Sequence, residues 1–599
     1  MKVAYLDGIR FYRVMYAGIQ NLLDDQEYLN KINVFPVPDG DTGTNMAFTL
    51  MGIIEHIRSR GHLSLNKLSH EIADAALDNA RGNSGVILAQ FFQGLSEGLE
   101  PYKEVNTIQF ASATKVAVDE AYTALMNPRE GTILSVLRAW SNSLIESAER
   151  VADFEILFST AKDRSQEALD RTPEQLKVLK DAGVVDAAGQ GFLSMLQGIS
   201  NFIETGNIRK LPAIKSDFSS NALQMTEQDM ENMDFPFCTE CIVVAPKIIR
   251  EDLNKYLRVR GDSIVIAGSK TRAKIHIHTD DPGDLFSGLE QFGEVTQQKV
   301  DDMREQGKSI KAEEKVALVV DSTCDIPVEI LDQHHIHVVP VRLNFGKEQF
   351  IDRVTISNDE FYKRLMESKE HPQTSQPPPA DFSRMYQFLA SHYESVISLH
   401  LPKVLSGTYQ NAAKGLEGVK FKGNKVLLDS LSISAGTGIT ALEIADAIEA
   451  DADFETIREI AERTIKNTKI FIGLKSLDSI LKGGRLSLNK KRIIDLLQLN
   501  LVLSITEEGY LKPKGATFGR KNPYDKLLKF ILKKVEDRPV KRIGIVHAMI
   551  PEIADSYKKV LEERFPGAFV FIAQICPALG VHGGIGAAGV AIQYGGEGE

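Results

Sequence analysis

Two carboxylates, Asp39 and Asp41, stand two residues apart in the run Asn33-Val34-Phe35-Pro36-Val37-Pro38-Asp39-Gly40-Asp41-Thr42-Gly43-Thr44-Asn45-Met46. Pro36 and Pro38 stop regular helix, and Gly40 and Gly43 allow tight backbone geometry. Both carboxylates can therefore converge on one hard cation, for which magnesium is the natural choice. Asp-Gly pairs also fill ordinary surface turns, the competing reading of the same residues. A second run, Asn79-Ala80-Arg81-Gly82-Asn83-Ser84-Gly85-Val86-Ile87-Leu88, leads a glycine-bearing loop into an apolar helical pattern. Small residues let backbone N–H groups approach an anion, and the positive end of the following helix favours phosphate. The plainer alternative is a loop with a helix cap at Asn83 or Ser84. No Gly-Lys-Ser/Thr triplet follows, so this is not a P-loop.

Softer donors cluster farther along, in Phe237-Cys238-Thr239-Glu240-Cys241 and Ile275-His276-Ile277-His278-Thr279-Asp280. On a strand His276 and His278 share a face, and a cysteine thiolate would complete a mixed nitrogen–sulfur set for zinc. Buried thiols and hydrogen-bonded histidines are the alternative. If Cys238 and Cys241 lie on one strand, their spacing sends them to opposite faces, so Cys241 does not join the set. The last third of the chain offers hydroxyl clusters: Asp321-Ser322-Thr323-Cys324-Asp325, Thr374-Ser375-Gln376-Pro377 and Leu405-Ser406-Gly407-Thr408. Lys482-Gly483-Gly484-Arg485-Leu486 and Val581-His582-Gly583-Gly584 add a cation and an imidazole. Hydroxyls with one Arg or His can hold a carboxylate without burying an unpaired charge, although any single Ser or Thr can equally be a cap or turn.

The elements that must position these groups follow from pattern. The 599 residues exceed what one core usually supports, and 43% hydrophobic with 25% charged residues is an ordinary globular balance. The net charge of -11 argues against a nucleic-acid surface. The first eight residues lack the basic region and apolar run of a secretory signal, and no stretch reads as a membrane span. These features predict a cytoplasmic protein. Four scattered cysteines do not make a disulfide framework. Phe11, Met15, Ile19 and Leu22 open a helical pattern that continues to about residue 200. A polar, acidic stretch follows as a linker over 206–234. Short β-rich runs at Cys241–Pro246, Ser263–Gly268 and Ala273–Thr279 predict a small α+β domain over 235–306. From 315 to 597, apolar strands at Val316–Val320, Val396–Leu399, Lys425–Leu428, Ile470–Leu474, Ile543–Val546 and Phe569–Ile572 alternate with helical segments, an α/β pattern.

Together the Asp39–Met46 and Asn79–Leu88 runs, with Gly131-Thr132-Ile133-Leu134 and Asp181–Gly191, resemble the ATP-binding domain of the dihydroxyacetone kinase family. That resemblance covers roughly residues 1–205 and implies an all-α nucleotide-binding helical barrel. It assigns magnesium to Asp39 and Asp41, with Asn33 as a further ligand. It assigns ATP to Thr42, Thr44, Asn45, Gly82, Asn83, Ser84, Gly85, Thr132 and Asp186. The Asn-Val-Phe-Pro-Val-Pro lead-in is similar to the bacterial fatty-acid kinase branch. The middle domain of that branch implies structural zinc on Cys238, His276 and His278. The five C-terminal motifs resemble the DegV family of fatty-acid-binding proteins. This implies a two-subdomain α/β fold in which Thr374, Ser375 and Ser406 contact a fatty-acid carboxylate, with Arg485 and His582 at the phosphoryl-transfer point. Cys324, where Ser is common, and His582-Gly583-Gly584 depart from that family's pattern.

The reaction so implied is ATP-dependent phosphorylation of a fatty-acid carboxylate, with Asp39, Asp41, Arg485 and His582 as catalytic residues. Expected partners are fatty acid, a separate DegV-family carrier or an acyl-phosphate acceptor enzyme, a second copy in a homodimer, and a membrane surface touched for lipid exchange; nucleic acid is not expected. Two other readings stay open at this level: a nucleotide-regulated lipid sensor without catalysis, and a kinase for dihydroxyacetone.

Overall fold

The computed structural model describes residues 3–35, 40–58, 60, 63–205, 234–304, 314–368, 370–485, 499–518, 523–535 and 538–595. It divides into two compact units, Met1–Lys311 and Ala312–Glu599. The segment expected to be a linker falls almost wholly at 206–233, and Asp39 at 36–39, both outside the described residues.

The first unit begins with eleven described helices: α1 (Gly8–Asp24), α2 (Gln26–Lys31), α3 (Thr42–Ile57), α4 (Leu65–Asn79), α5 (Gly82–Leu99), α6 (Thr107–Thr123), α7 (Ile133–Ala148), α8 (Phe154–Asp170), α9 (Thr172–Gln175), α10 (Lys177–Ala182) and α11 (Ala187–Glu204). A two-residue ribbon pairs β1 (Leu6–Asp7) with β2 (Glu104–Val105). Local sequence explains the helix starts. Asp7 Oδ1 accepts from Arg10 N at 2.8 Å, and Asn106 and Gln109 form a reciprocal capping box on α6. Phe11, Ile19 and Leu22 bury the predicted stripe of α1, and Phe91, Phe110, Trp140, Phe154, Phe158 and Phe192 stack edge to face in the interior. Glycines let α1 and α11 cross closely. A Cβ on Gly198 would lie 2.6 Å from Ala17 O, and one on Gly18 would lie 2.9 Å from Ile199 Cγ1.

The middle segment folds as β3 (Phe237–Val244), α12 (Arg250–Leu257), β4 (Gly261–Gly268), β5 (Arg272–Thr279), α13 (Pro282–Leu289) and β6 (Glu294–Asp302). The strands pair antiparallel in the order β4-β5-β3-β6. The expected α+β character holds, and β6 is an addition. Its sequence, Glu-Val-Thr-Gln-Gln-Lys-Val-Asp-Asp, is too polar to stand out as a strand. One face carries Cys241, Val243, Ile264, Ile266, Ile275 and Ile277 against Leu253 and Leu257 of α12 and Leu285 and Phe286 of α13. Val265 and Ala267 point the other way, into the core of the helices, and Ile266 N donates to Ala124 O at 2.9 Å. Both faces of this sheet are therefore covered.

The second unit holds three sheets. Strands β7 (Val316–Asp321), β8 (His337–Val339), β12 (Ser395–His400) and β13 (Lys425–Asp429) form a parallel sheet in the order β13-β12-β7-β8. β9 (Arg342–Phe345), β10 (Glu348–Ile351) and β11 (Gln373–Ser375) make a small antiparallel sheet. β14 (Thr468–Gly473), β15 (Leu499–Ile505), β16 (Leu511–Phe518), β17 (Val540–His547), β18 (Phe569–Gln574) and β19 (Ala588–Tyr594) form the third, in the order β16-β15-β14-β19-β17-β18. Every residue of β7 and β12 is buried, as the interior of a parallel sheet requires. The helix Ala435–Glu449 is buried along most of its length and packs against strands of both larger sheets.

The close helix crossing gives the first expected outcome. Gly198→Val should lower the thermal unfolding midpoint of the first unit, by about 1–3 kcal/mol of overpacking strain. A midpoint equal to wild type in circular dichroism would show that α1 and α11 can separate at no cost.

Candidate functional site

The first group of chemical side chains gathers where α2, α3 and α5 begin or end. Gly40 takes φ +65° ahead of Asp41, which precedes α3 but does not cap it with its side chain; the Asp41 carbonyl accepts from Asn45 N at 2.8 Å. Thr44 Oγ1 receives Asn30 Nδ2 at 2.9 Å and Gln26 Nε2 at 3.1 Å, tying α3 to α2. Asn33 is buried, and its Oδ1 accepts the Thr42 hydroxyl, so its oxygen is engaged in holding the turn. Gly82, at φ +57°, lies against Asn45: a Cβ there would come within 2.4 Å of Asn45 Nδ2. The glycine run and the carboxylate turn, 37 or more residues apart in sequence, thus lie side by side.

The helix after that run starts one residue earlier than a cap at Asn83 or Ser84 would place it. Gly82 is its first residue and Arg81 its flanking residue, with no side-chain cap. Asn83 Oδ1 is buried without a hydrogen-bond partner, and Ser84 and Gly85 follow in the first turn. Gly82 N donates to Glu240 Oε1 of β3 at 2.9 Å, a contact that the sequence did not signal.

Thr132 caps α7 through Leu134 N, at 3.4 Å, and Asp186 caps α11 through Gly189 N, at 2.7 Å. Asp186 also accepts from the Ile133 backbone, so one carboxylate joins two helix starts; burial pushes it up to about 7 against those two hydrogen bonds. Arg129, just before this pair, lies over the Phe35 ring at 5.9 Å and connects it to the carboxylate turn.

On the covered polar face of the middle sheet, Cys238 is paired with His278 and Glu240 with His276 across β3 and β5. The ligand atoms of Cys238, His276 and His278 all lie within 4.8 Å of one another, with Cys238 Sγ 4.0 Å from His276 Nδ1. His276 Nε2 is buried without a partner. Burial pushes the Cys238 thiol well up, and burial beside His276 pushes His278 down to about 3. Cys241 faces the opposite way, into the apolar core. Asp41 lies near enough to act on the Cys238 thiol electrostatically, so the soft donors and the carboxylate turn share one neighbourhood.

In the second unit a cavity of about 1010 Å³, counted with the space at its open mouth, lies at the carboxyl ends of β7 and β12. Ile470, Ile472, Leu474, Leu503, Val546 and Ile575 supply much of its apolar wall. Thr374, Ser375, Ser406, Arg485 and His582, which come from four separate motifs, all line it. Thr374 Oγ1 is 3.1 Å from His582 Nε2, while His582 Nδ1 is buried and unpartnered. Burial, with Arg485 and His371 adding charge, pushes the His582 imidazole down to about 4. Ser406 Oγ pairs with Thr408 Oγ1 at 2.8 Å, and exposed Arg485 bonds the Gly483 carbonyl. Gln376, Thr323 and Ser434 also line the cavity. Ser434, strained at φ 54°, donates its hydroxyl to buried Asp325, which also takes Cys576 N at 3.0 Å and the Arg353 guanidinium. This second layer was not foreseen, because Asp325, Arg353, Ser434 and Cys576 belong to four distant segments. Cys324, at the expected departure, is buried beside it.

Family comparisons cover most of the chain. The DAK2 domain matches residues 36–201, the middle domain of the fatty acid kinase-like family 234–310, and the DegV family 315–595. Protein YloV of Bacillus subtilis is 35% identical over 327 residues, 52% of this chain and 58% of that protein. A protein of Staphylococcus saprophyticus is likewise 35% identical over 327 residues, with the same 52% and 58% coverage. The chain therefore spans 58% of the length of these curated relatives. Among solved structures, a fatty-acid-binding DegV family protein from Thermus thermophilus matches at 26% identity and TM-score 0.43, over 47% of this chain and 99% of that one. DegV of Bacillus subtilis, a fatty acid binding protein, matches at 27% identity and TM-score 0.43, over 47% of this chain and 100% of that one. From its first helices to its last strand, the chain carries in order a DAK2 domain, a fatty acid kinase-like middle domain and a DegV-family domain.

Proposed function

We propose that this chain transfers the γ-phosphoryl group of ATP to a fatty-acid carboxylate, giving acyl phosphate and ADP, with the acid presented by its own DegV domain. The observation that carries the reading is that one polypeptide joins a carboxylate turn packed against a glycine-led helix start to an apolar cavity ending in hydroxyls and an imidazole. The cavity wall suits an acyl chain, and Thr374, Ser375 and Ser406 suit its carboxylate as neutral donors. A carboxylate nucleophile is ionised near neutral pH, so alignment and charge neutralisation carry the chemistry and no strong base is needed. Depressed by burial, His582 is neutral at pH 7 and can share a proton with Thr374 without adding charge. Arg485 at the rim supplies the cation.

Magnesium fits the carboxylate turn: Asp41 offers a hard oxygen beside the glycine run, and Asp39 stands two residues away in sequence. It would neutralise phosphate charge there. Asn33 fits less well, because its buried oxygen already accepts the Thr42 hydroxyl. Zinc fits Cys238, His276 and His278 by donor chemistry and by the unpartnered His276 Nε2. Its contribution there would be structural.

Three outcomes test this reading. Native mass spectrometry of the full chain should show bound fatty acid, and Mg·ATP with hydroxylamine should convert it to hydroxamate; Asp41→Ala should give none while remaining folded. Bound lipid that yields no hydroxamate would overturn catalysis in favour of a lipid sensor. The purified protein should hold about one zinc ion per chain, and Cys238→Ser should lose it together with thermal stability; an unchanged metal content removes the zinc assignment. The stability that His582 contributes is present above its unfolded value of 6.5 and is lost as pH falls through about 4. Across that window wild type should lose roughly 3 kcal/mol more than His582→Gln in urea unfolding of the second unit.

A further inference from the structure

The first N–H of α5 does not wait for an incoming anion; a carboxylate from another domain already takes it. Gly82 N donates to Glu240 Oε1 at 2.9 Å, 158 residues away in sequence. Glu240 is 1% exposed and sits mid-strand in β3, opposite His276 of β5 and Lys299 of β6. Lys274 Nζ lies 3.2 Å from its Oε2, while Lys299 Nζ and His276 Nδ1 lie 3.5 and 3.4 Å from its Oε1. Burial alone would raise this carboxyl, but the two ammonium groups and the imidazole outweigh it and hold Glu240 ionised. Its charge is thus balanced inside the middle domain, and its lone pair is spent on the glycine run.

Arg81 supplies no cap of its own, and Gly82 has the left-handed backbone that a side chain would resist. Asn45 leaves no room for a Cβ at that position. The start of α5 is therefore fixed from two sides, by α3 and by β3.

We propose that Glu240 is the positioning residue for the Gly82–Gly85 run: the middle domain sets the direction in which the remaining N–H groups of α5 face, and so prepares them for phosphate. Neutralisation by Lys274 and Lys299 keeps this carboxylate from repelling the phosphate that it helps to place. The proposal rests on the nucleotide reading only for its consequence for affinity; the loop's rigidity is independent of it.

Glu240→Asp separates the two roles, because it keeps the charge among the lysines but withdraws the oxygen from Gly82. Glu240→Gln keeps an oxygen acceptor within reach and gives up the charge. In the full chain, hydrogen exchange at the Gly82–Gly85 amides and binding of Mg·ATP are measured for wild type and both variants, with thermal midpoints as the control for folding. Glu240→Asp should leave the midpoint close to wild type, speed exchange in that segment, and weaken Mg·ATP binding roughly tenfold, or 1.4 kcal/mol. Glu240→Gln should lower the midpoint yet, below it, retain slow exchange and most of the affinity. Equal exchange in wild type and Glu240→Asp would overturn the proposal. If wild type binds no nucleotide, the nucleotide reading fails and the exchange comparison still decides the role of Glu240.

Discussion

A carboxylate cannot stay ionised in a protein interior unless its neighbours replace the water it has lost. Glu240 meets that condition through Lys274, Lys299 and His276, and the condition dictates much of the first unit. These partners reach it only if β5 and β6 flank β3 in the observed register. The face that carries them must then be sealed from solvent, which the helices do where Val265 and Ala267 enter their core and Ile266 pairs with Ala124. The candidate nucleotide loop lies at that seam. Its geometry is consequently a product of two sequence segments, not of the glycine-rich motif alone.

The DegV domain solves the opposite problem. An acyl chain needs no polar partner, so the wall of the cavity can be Ile, Leu and Val from several strands, with polarity confined to one region. That region is stiffened from behind: Asp325 gathers Ser434, Arg353 and the Cys576 backbone, and Asp352 takes Ser322 Oγ at 2.5 Å. Burial raises both carboxyls, to about 6 for Asp352, and Arg353 offsets part of it. The strained backbone at Ser434 is held by this network, beside the hydroxyls proposed to meet the substrate.

Much of this was legible in the residues themselves. The stripe of Phe11, Met15, Ile19 and Leu22, the apolar β7 and β12, and the alternation that puts His276 and His278 on one face follow from periodicity. Thr374, Ser406 and His582 were marked by type and motif, and the fold gathers them around one cavity. What stayed hidden has a common cause. β6 is polar because its partners are ions, and Glu240 looked like an ordinary strand Glu because its worth depends on Gly82, far away in the chain. The helix start at Gly82 was missed because its cap comes from β3 and not from the adjacent sequence.

The middle sheet, covered on both faces, also bears on ancestry. A segment whose strand residues complete a neighbour's hydrophobic core cannot be gained or lost by recombination without exposing Val265 and Ala267 on one side and Leu125 on the other. The helical and middle segments are therefore expected to travel through evolution as one heritable block. The DegV domain, whose apolar clusters draw only on residues from 316 onward, is the part that gene fusion and fission can attach or release whole.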